Sequence, residues 1–244
     1  MNYVVVGATA GLGRRLVEGL ARRGADLTLV SSDPRDLDAI ACDVRLRYEV
    51  NVQALEMDLG REQIPVDSLV EQSIVSGMPN GLILPVGAIH SDDVPGLNID
   101  KIQRLVRINF LSVVEIVQAF LPMLRNSPGS CITAFGSVAA SRGRCGNVHY
   151  SASKRALESY FQSLRHCEAE SGVIVQFYTL GYMDTSLAYG MNLPFAKADP
   201  GLLSSLVIEN LHRDIGFVYY PKYWRLVCTA LKMTPWFIHK RMRF

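Results

Sequence analysis

A short apolar run, Asn2–Val6, ends in Gly7-Ala8-Thr9-Ala10-Gly11-Leu12-Gly13 and passes at once into a helical pattern. This junction limits the fold more than any other feature. Three glycines at this spacing allow a tight turn and leave backbone N–H groups free to approach an anion, and the helix that follows aims its positive end at the same point. Strand, glycine turn and helix in this order predict a binding site for the diphosphate of a dinucleotide, formed by Gly7, Thr9, Ala10, Gly11, Leu12 and Gly13.

The rest of the chain alternates in the same way. Further strands are expected at Asp26–Ser31, Val52–Met57, Gly81–Val86, Ser130–Phe135, Val173–Tyr178 and Phe217–Tyr220. Helices are expected at Gly11–Arg23, Pro34 to about Tyr48, Val66–Ser76, Asn98–Leu124 and Tyr150–Glu170. Near-continuous apolar strands separated by helices point to an α/β fold with a doubly wound parallel sheet covered on both faces. No linker or repeat divides the 244 residues, so one domain over 1–244 is expected, ending in the segment 215–244. No stretch of eighteen or more consecutive apolar residues is present. The five cysteines are scattered, with no C-x-x-C pair, which fits reduced thiols in a cytoplasm and no metal site.

The second strand ends in Ser31-Ser32, where an acidic residue would hold the ribose 2′-hydroxyl of NAD(H). Serines leave room for a 2′-phosphate, with Arg35 as a candidate counter-charge. NADP(H) is therefore favoured and NAD(H) stays open, because Asp33 stands close by. Tyr150-Ser151-Ala152-Ser153-Lys154 puts a phenol and an ammonium one helical turn apart. A nearby cation favours the phenolate, so Lys154 is expected to acidify Tyr150 for proton transfer near neutral pH. Ser137 closes the fifth strand, where its hydroxyl can bond a substrate carbonyl.

With these motifs in this order, the chain resembles the short-chain dehydrogenase/reductases in their single-domain form. The landmarks are Gly7-x-x-x-Gly11-x-Gly13, Asp58-Leu59, Asn109, Ser137, Tyr150-x-x-x-Lys154 and Leu180-Gly181-Tyr182-Met183-Asp184-Thr185. The resemblance implies a Rossmann-type sheet of seven parallel strands and a homodimer or homotetramer paired through the Asn98–Leu124 and Tyr150–Glu170 helices. It implies that Tyr150 donates a proton to a carbonyl, Ser137 orients that carbonyl, and Lys154 holds the nicotinamide ribose. It further implies that Asn109 kinks its helix and supports a proton-relaying water, that Asp58 bonds the adenine, and that Thr185 bonds the carboxamide. Gly181 and Met183 belong to the same cofactor-facing segment. The loop after the fourth strand departs from the family pattern: Pro85-Val86-Gly87-Ala88 lacks the usual asparagine side chains, leaving backbone at Val86 and Gly87 to meet the cofactor.

Arg142 and Arg144, between Ser137 and Tyr150, are candidates for an anionic group on the substrate, or else belong to a polar loop at a subunit edge. His149, Tyr182 and Tyr189 are the other candidate substrate contacts, and Tyr182–Pro200 reads as a lid with an apolar underside. The arrangement is similar to a subgroup that reduces lipid- or nucleotide-linked keto-sugars in cell-surface polysaccharide synthesis. That gives an expectation of an NADP(H)-dependent keto-sugar reductase. The alternatives are reduction of a 3-oxoacyl thioester or small ketone, and a cofactor-sensing regulator without turnover.

A net charge of +2 gives no footprint for nucleic acid. Residues 215–244 differ from the rest: they hold six basic residues, no acidic one, and eight of the 21 aromatics. Tyr223, Val227, Ala230 and Leu231 form an expected apolar stripe. Such a segment suits peripheral contact with a membrane surface, or packing over the cleft or against a neighbouring subunit.

Overall fold

The computed structural model describes residues 1–185 and 195–242. All seven strands join one parallel sheet: β1 (Asn2–Val6), β2 (Asp26–Ser31), β3 (Val52–Glu56), β4 (Gly81–Leu84), β5 (Cys131–Ser137), β6 (Ile174–Leu180) and β7 (Phe217–Tyr220). They lie side by side in the order β3-β2-β1-β4-β5-β6-β7. The direction of winding reverses between β1 and β4, which opens a crevice at their carboxyl ends, as in Rossmann-type sheets.

Period-two alternation divides the apolar strand residues between two cores. Tyr3 and Val5 of β1 join the core that contains Leu16, Leu20, Leu203 and Val207. Val4 and Val6 join the opposite core with Val113, Ile116, Phe120 and Phe161. The helices covering the first face are α1 (Gly11–Ala21), α2 (Pro34–Tyr48) and α7 (Pro200–Asn210); the second face carries α3 (Val66–Ser73), α5 (Ser112–Arg125) and α6 (Val148–Cys167). The shorter α4 (Ile99–Val106) precedes α5, and α8 (Trp224–Met233) and α9 (Trp236–His239) end the described chain.

Several expectations are corrected. β4 stops at Leu84, because Pro85 has no N–H for the ladder. The expected helix Asn98–Leu124 is interrupted by a π-helical stretch, Arg107–Leu111, which contains the fully buried Asn109. The continuous helical run Ile99–Arg125 is long and apolar enough to cross a membrane by length and composition, though no eighteen of its residues are uniformly apolar. Here its residues Val113, Ile116, Val117, Phe120 and Leu124 pack in the second core. Helix α7 is not anticipated from sequence: Asp199 caps it by accepting from Gly201 N–H at 2.7 Å, and Pro200 starts it. On α8 Trp224 and Cys228 are buried with Val227 packed against them, while Tyr223 and Ala230 of the expected stripe are exposed.

Candidate active site

The cleft at the switch point has a volume of about 540 Å³. One end is built by the glycine turn. Gly7 (φ 89°) and Gly11 (φ 49°) take left-handed conformations that side chains rarely adopt. Gly13 does something different: a Cβ there would lie 1.8 Å from the Gly7 carbonyl oxygen, so it lets α1 sit directly on the end of β1. Ala10 provides no side-chain cap, which leaves the first N–H groups of α1 available to an anion. These features fit the diphosphate of a dinucleotide. Gly7, Thr9, Ala10, Gly11 and Leu12 line the cleft, and Gly13 supports them from behind.

At the same end, Ser31 and Ser32 line the wall, and the Ser31 hydroxyl bonds the Thr9 hydroxyl at 2.7 Å. Arg35 is not part of this wall. Its side chain is 90% exposed and its guanidinium lies 3.6 Å from Asp33, the residue that caps α2. Asp58 and Leu59 do line the cleft, but the Asp58 carboxylate is engaged by Arg104, which donates at 3.0 and 3.1 Å. Burial pushes the Asp58 carboxyl up, yet hydrogen bonds from Gly60 and Arg104 outweigh it and hold the carboxyl below its ordinary range. Ser112 fastens the segment by donating to the Leu59 carbonyl at 2.7 Å.

The central wall is the loop after β4. It lacks asparagine side chains, and two other residues hold its backbone. Asn109 accepts from Ala88 N–H and donates to the Ala88 carbonyl, both at 2.9 Å. Lys154 donates from Nζ to the Val86 carbonyl at 2.7 Å and to the Phe135 carbonyl at 3.0 Å. Val86, Gly87 and Lys154 line the cleft; Asn109 stands behind it as a support for the loop.

The other end brings Ser137, Tyr150, Arg144 and Tyr182 to one wall. Burial dominates the Tyr150 phenol and raises its pKa, while the neighbouring Ser137 hydroxyl and the positive charge of Arg144 oppose that rise. This reverses the expectation of a phenol acidified by Lys154. The lysine is itself buried, and desolvation lowers its pKa to about 7, so its charge is only partly present at neutral pH. Tyr150 therefore carries its proton at pH 7. Gly181, Met183 and Thr185 complete the rim; a Cβ on Gly11 would come within 3.1 Å of Thr185 Cγ2, so the turn and this segment are in close register.

A family model described as short chain dehydrogenase matches residues 2–193. The chain belongs to the short chain dehydrogenase family. Among curated proteins it is similar to a very-long-chain 3-oxoacyl-CoA reductase of Podospora anserina, with 32% identity over 189 residues, 75% of this chain and 54% of that protein. A very-long-chain 3-oxoacyl-CoA reductase of Anas platyrhynchos is 31% identical over 205 residues, 81% of this chain and 64% of that protein. The matched parts thus cover 54% and 64% of these relatives, less than two thirds of either. Among solved structures, a short-chain dehydrogenase from Sphingobium yanoikuyae in complex with NADPH superimposes with a TM-score of 0.83 at 25% identity, covering 99% of this chain and 96% of that one.

In this short chain dehydrogenase the helix bearing Tyr150 and Lys154 has no side-chain cap of its own. A residue from the loop after β4 supplies it. The buried Asp93 carboxylate accepts from His149 N–H at 2.9 Å and from Tyr150 N–H at 2.8 Å, and it also meets His149 Nδ1 at 2.6 Å. His149 is thereby bound to Asp93 and is absent from the cleft lining. A carboxylate 56 and 57 residues from its partners gives no local cap signal in the sequence. Burial pushes the Asp93 carboxyl up, but the Tyr150 and His149 N–H groups and the His149 ring prevail and hold it below the ordinary carboxylate value.

A depressed carboxyl stabilises the fold above its unfolded pKa, and that stability fades as pH falls through the folded value. Asp93→Asn is expected to cost about 1–2 kcal/mol at pH 7, by loss of a cap and a charge-assisted bond. The gap to the parent should shrink as pH is lowered through the acid range. Thermal midpoints measured from pH 3 to pH 7 check this; a gap independent of pH would refute it.

Arg142 also leaves the expected site. Its guanidinium donates to the Leu231 carbonyl at 2.5 Å and to the Thr234 carbonyl, closing the end of α8. The pair of arginines expected to hold an anion is therefore split: Arg144 lines the cleft and Arg142 faces away. Tyr189 and the rest of the lid segment 186–194 lie outside the described residues. Of the remaining lid residues, Met183 is buried and forms an isolated bridge to Ala198, and Phe195 packs on Trp224 at 4.7 Å.

Proposed function

We propose that the protein reduces a ketone with NADPH, and that the ketone is the 3-oxo group of an acyl thioester. The observation that carries the reaction type is the meeting of the Tyr150 phenol with the Ser137 hydroxyl at the end of a cleft whose other end is the glycine turn. The bound cofactor supplies the hydride. The Gly7–Gly13 turn would hold its diphosphate. Ser31 and Ser32 admit a 2′-phosphate, and the NADPH complex of the Sphingobium yanoikuyae relative supports that choice.

Ser137 orients the carbonyl oxygen by donating a hydrogen bond. Tyr150, kept protonated by burial, delivers its proton to the same oxygen as negative charge develops there. Arg144, on the same wall, stabilises the phenolate that remains. Lys154 holds the Val86 and Phe135 backbone in place and would meet the ribose of a bound nicotinamide cofactor.

The thioester reading is supported by the names of the two relatives and by the apolar residues Val138, Ala139 and Leu180 in the cleft lining. The keto-sugar expectation drew in part on paired arginines, and Arg142 is committed to α8. NADPH oxidation followed with 3-oxoacyl-CoA substrates of increasing chain length and with nucleotide-linked keto-sugars separates the readings. Turnover is expected with the thioesters and to improve with chain length. Turnover confined to keto-sugars would overturn the substrate, and NADPH binding without turnover on either class would overturn the reaction.

A further inference from the structure

Helix α8 is apolar on two sides. Trp224, Val227, Cys228 and Leu231 face the body of the protein, with Trp224 and Cys228 fully buried. Tyr223, Leu226, Ala230 and Met233, at i, i+3, i+7 and i+10, form a second stripe that is exposed. The exposed stripe continues into α9. Leu226 is 77% exposed, Met233 78%, Trp236 69% and Phe237 61%. A monomer rarely leaves so many large apolar side chains together in water without a use for them.

Within the α8–α9 segment the charge has one sign. Arg225 and Lys232 flank the stripe on α8, Lys222 precedes it, and Lys240 and Arg241 follow α9. No acidic residue occurs after Asp214. Exposed aromatic and aliphatic groups ringed by lysine and arginine match an anionic lipid surface: the apolar side chains enter the acyl boundary and the cations meet the headgroups. A second copy of the same surface would instead bring like charges together.

The position of the surface links it to the cleft. Arg142 ties the loop after β5 to the end of α8, and His239 of α9 approaches the Gly143 carbonyl at 3.1 Å. Arg144, in the same loop, lines the cleft. Tyr182 lines the cleft and packs edge-on against Trp224, with ring centroids 5.4 Å apart. We infer that α8 and α9 dock the protein on an anionic membrane surface and so present the carbonyl end of the cleft to an amphiphilic substrate held in that membrane. This rests on the proposed reductase reading for the substrate and on the α8–α9 surface alone for the membrane.

The test uses the full-length protein without cofactor or substrate, floated with vesicles of phosphatidylcholine alone or mixed with phosphatidylglycerol. Binding is expected only with the anionic vesicles and should weaken steeply at about 0.5 M salt. The Leu226→Ser/Met233→Ser/Phe237→Ser variant is expected to lose at least about tenfold in vesicle affinity, since apolar burial and charge act together. It should retain the parent's NADPH oxidation with a short, water-soluble 3-oxoacyl thioester. Failure of the parent to float with anionic vesicles would overturn the proposal. So would a fall in oligomeric mass caused by the triple substitution, which would assign the surface to a second copy. Neither result depends on turnover, so the reductase reading stands or falls by its own assay.

Discussion

Tyr150→Phe is expected to lower kcat for NADPH-dependent reduction by about 10²–10⁴-fold, the usual worth of a positioned general acid. The ring keeps its volume and its place on α6, whose start is held by Asp93 through backbone N–H groups that the substitution leaves intact. The Ser137 oxygen also keeps its bond from Ala139 N–H at 3.2 Å. NADPH affinity should therefore change little, because the glycine turn and the Ser31-Ser32 wall are at the other end of the cleft. Steady-state NADPH oxidation and a fluorescence titration of NADPH measure the two effects separately. A variant that turns over within a few fold of the parent would remove Tyr150 from the chemistry. Loss of both turnover and NADPH binding would show a structural role instead.

Gly13→Ala is expected to have the largest effect on the fold and on cofactor binding together. The new Cβ would lie 1.8 Å from the Gly7 carbonyl oxygen, 2.9 Å from the Gly7 carbonyl carbon and 3.3 Å from Ala8 Cα. All three are main-chain atoms of the turn, so no side chain can swing aside. Helix α1 must move away from β1, at a cost of at least about 1–3 kcal/mol by analogy with overpacked cores. The N–H groups aimed at the diphosphate move with it. Urea unfolding should show a lower midpoint, and NADPH titration should show binding lost or severely weakened. Gly146→Ala is the control: a Cβ there meets nothing within 4 Å, and its stability should match the parent. An unchanged midpoint and unchanged NADPH affinity for Gly13→Ala would mean that the close α1–β1 contact is not required.

The sheet is legible in the sequence because its strands are buried on both faces and read as apolar runs. Their ends are legible to within a residue or two, and Pro85 marks the end of β4 in the sequence itself. Helix α7 escapes because Pro200 reads as the end of a loop, although Asp199-Pro200 is equally a helix start. The expected α8 stripe falls on both sides of the helix because it carries two apolar faces, and periodicity does not say which of them meets the core.

At the site, spacing brings Tyr150, Lys154 and Ser137 together on paper, and the fold brings them to one cleft. Their acid–base balance is another matter. It depends on burial, which comes from the loops after β4 and β5 and leaves no mark in Tyr-x-x-x-Lys. Arg142 and Arg144 differ for a similar reason. Two residues apart in a loop, they point to opposite places, and only the position of α8 decides which one is claimed. Asp93 and Arg104 find partners 57 and 46 residues away in the chain, beyond the reach of any local pattern.

Because one buried carboxylate reaches from the loop after β4 to the start of α6, these two segments form a matched pair. A chimaera that takes residues 86–93 from one relative and 148–154 from another would inherit a helix start without its acceptor, or an acceptor without its helix. Recombination between related enzymes should therefore succeed most often where both segments come from the same parent. Anyone redesigning substrate choice has more freedom in the loop bearing Arg144 than in this pair.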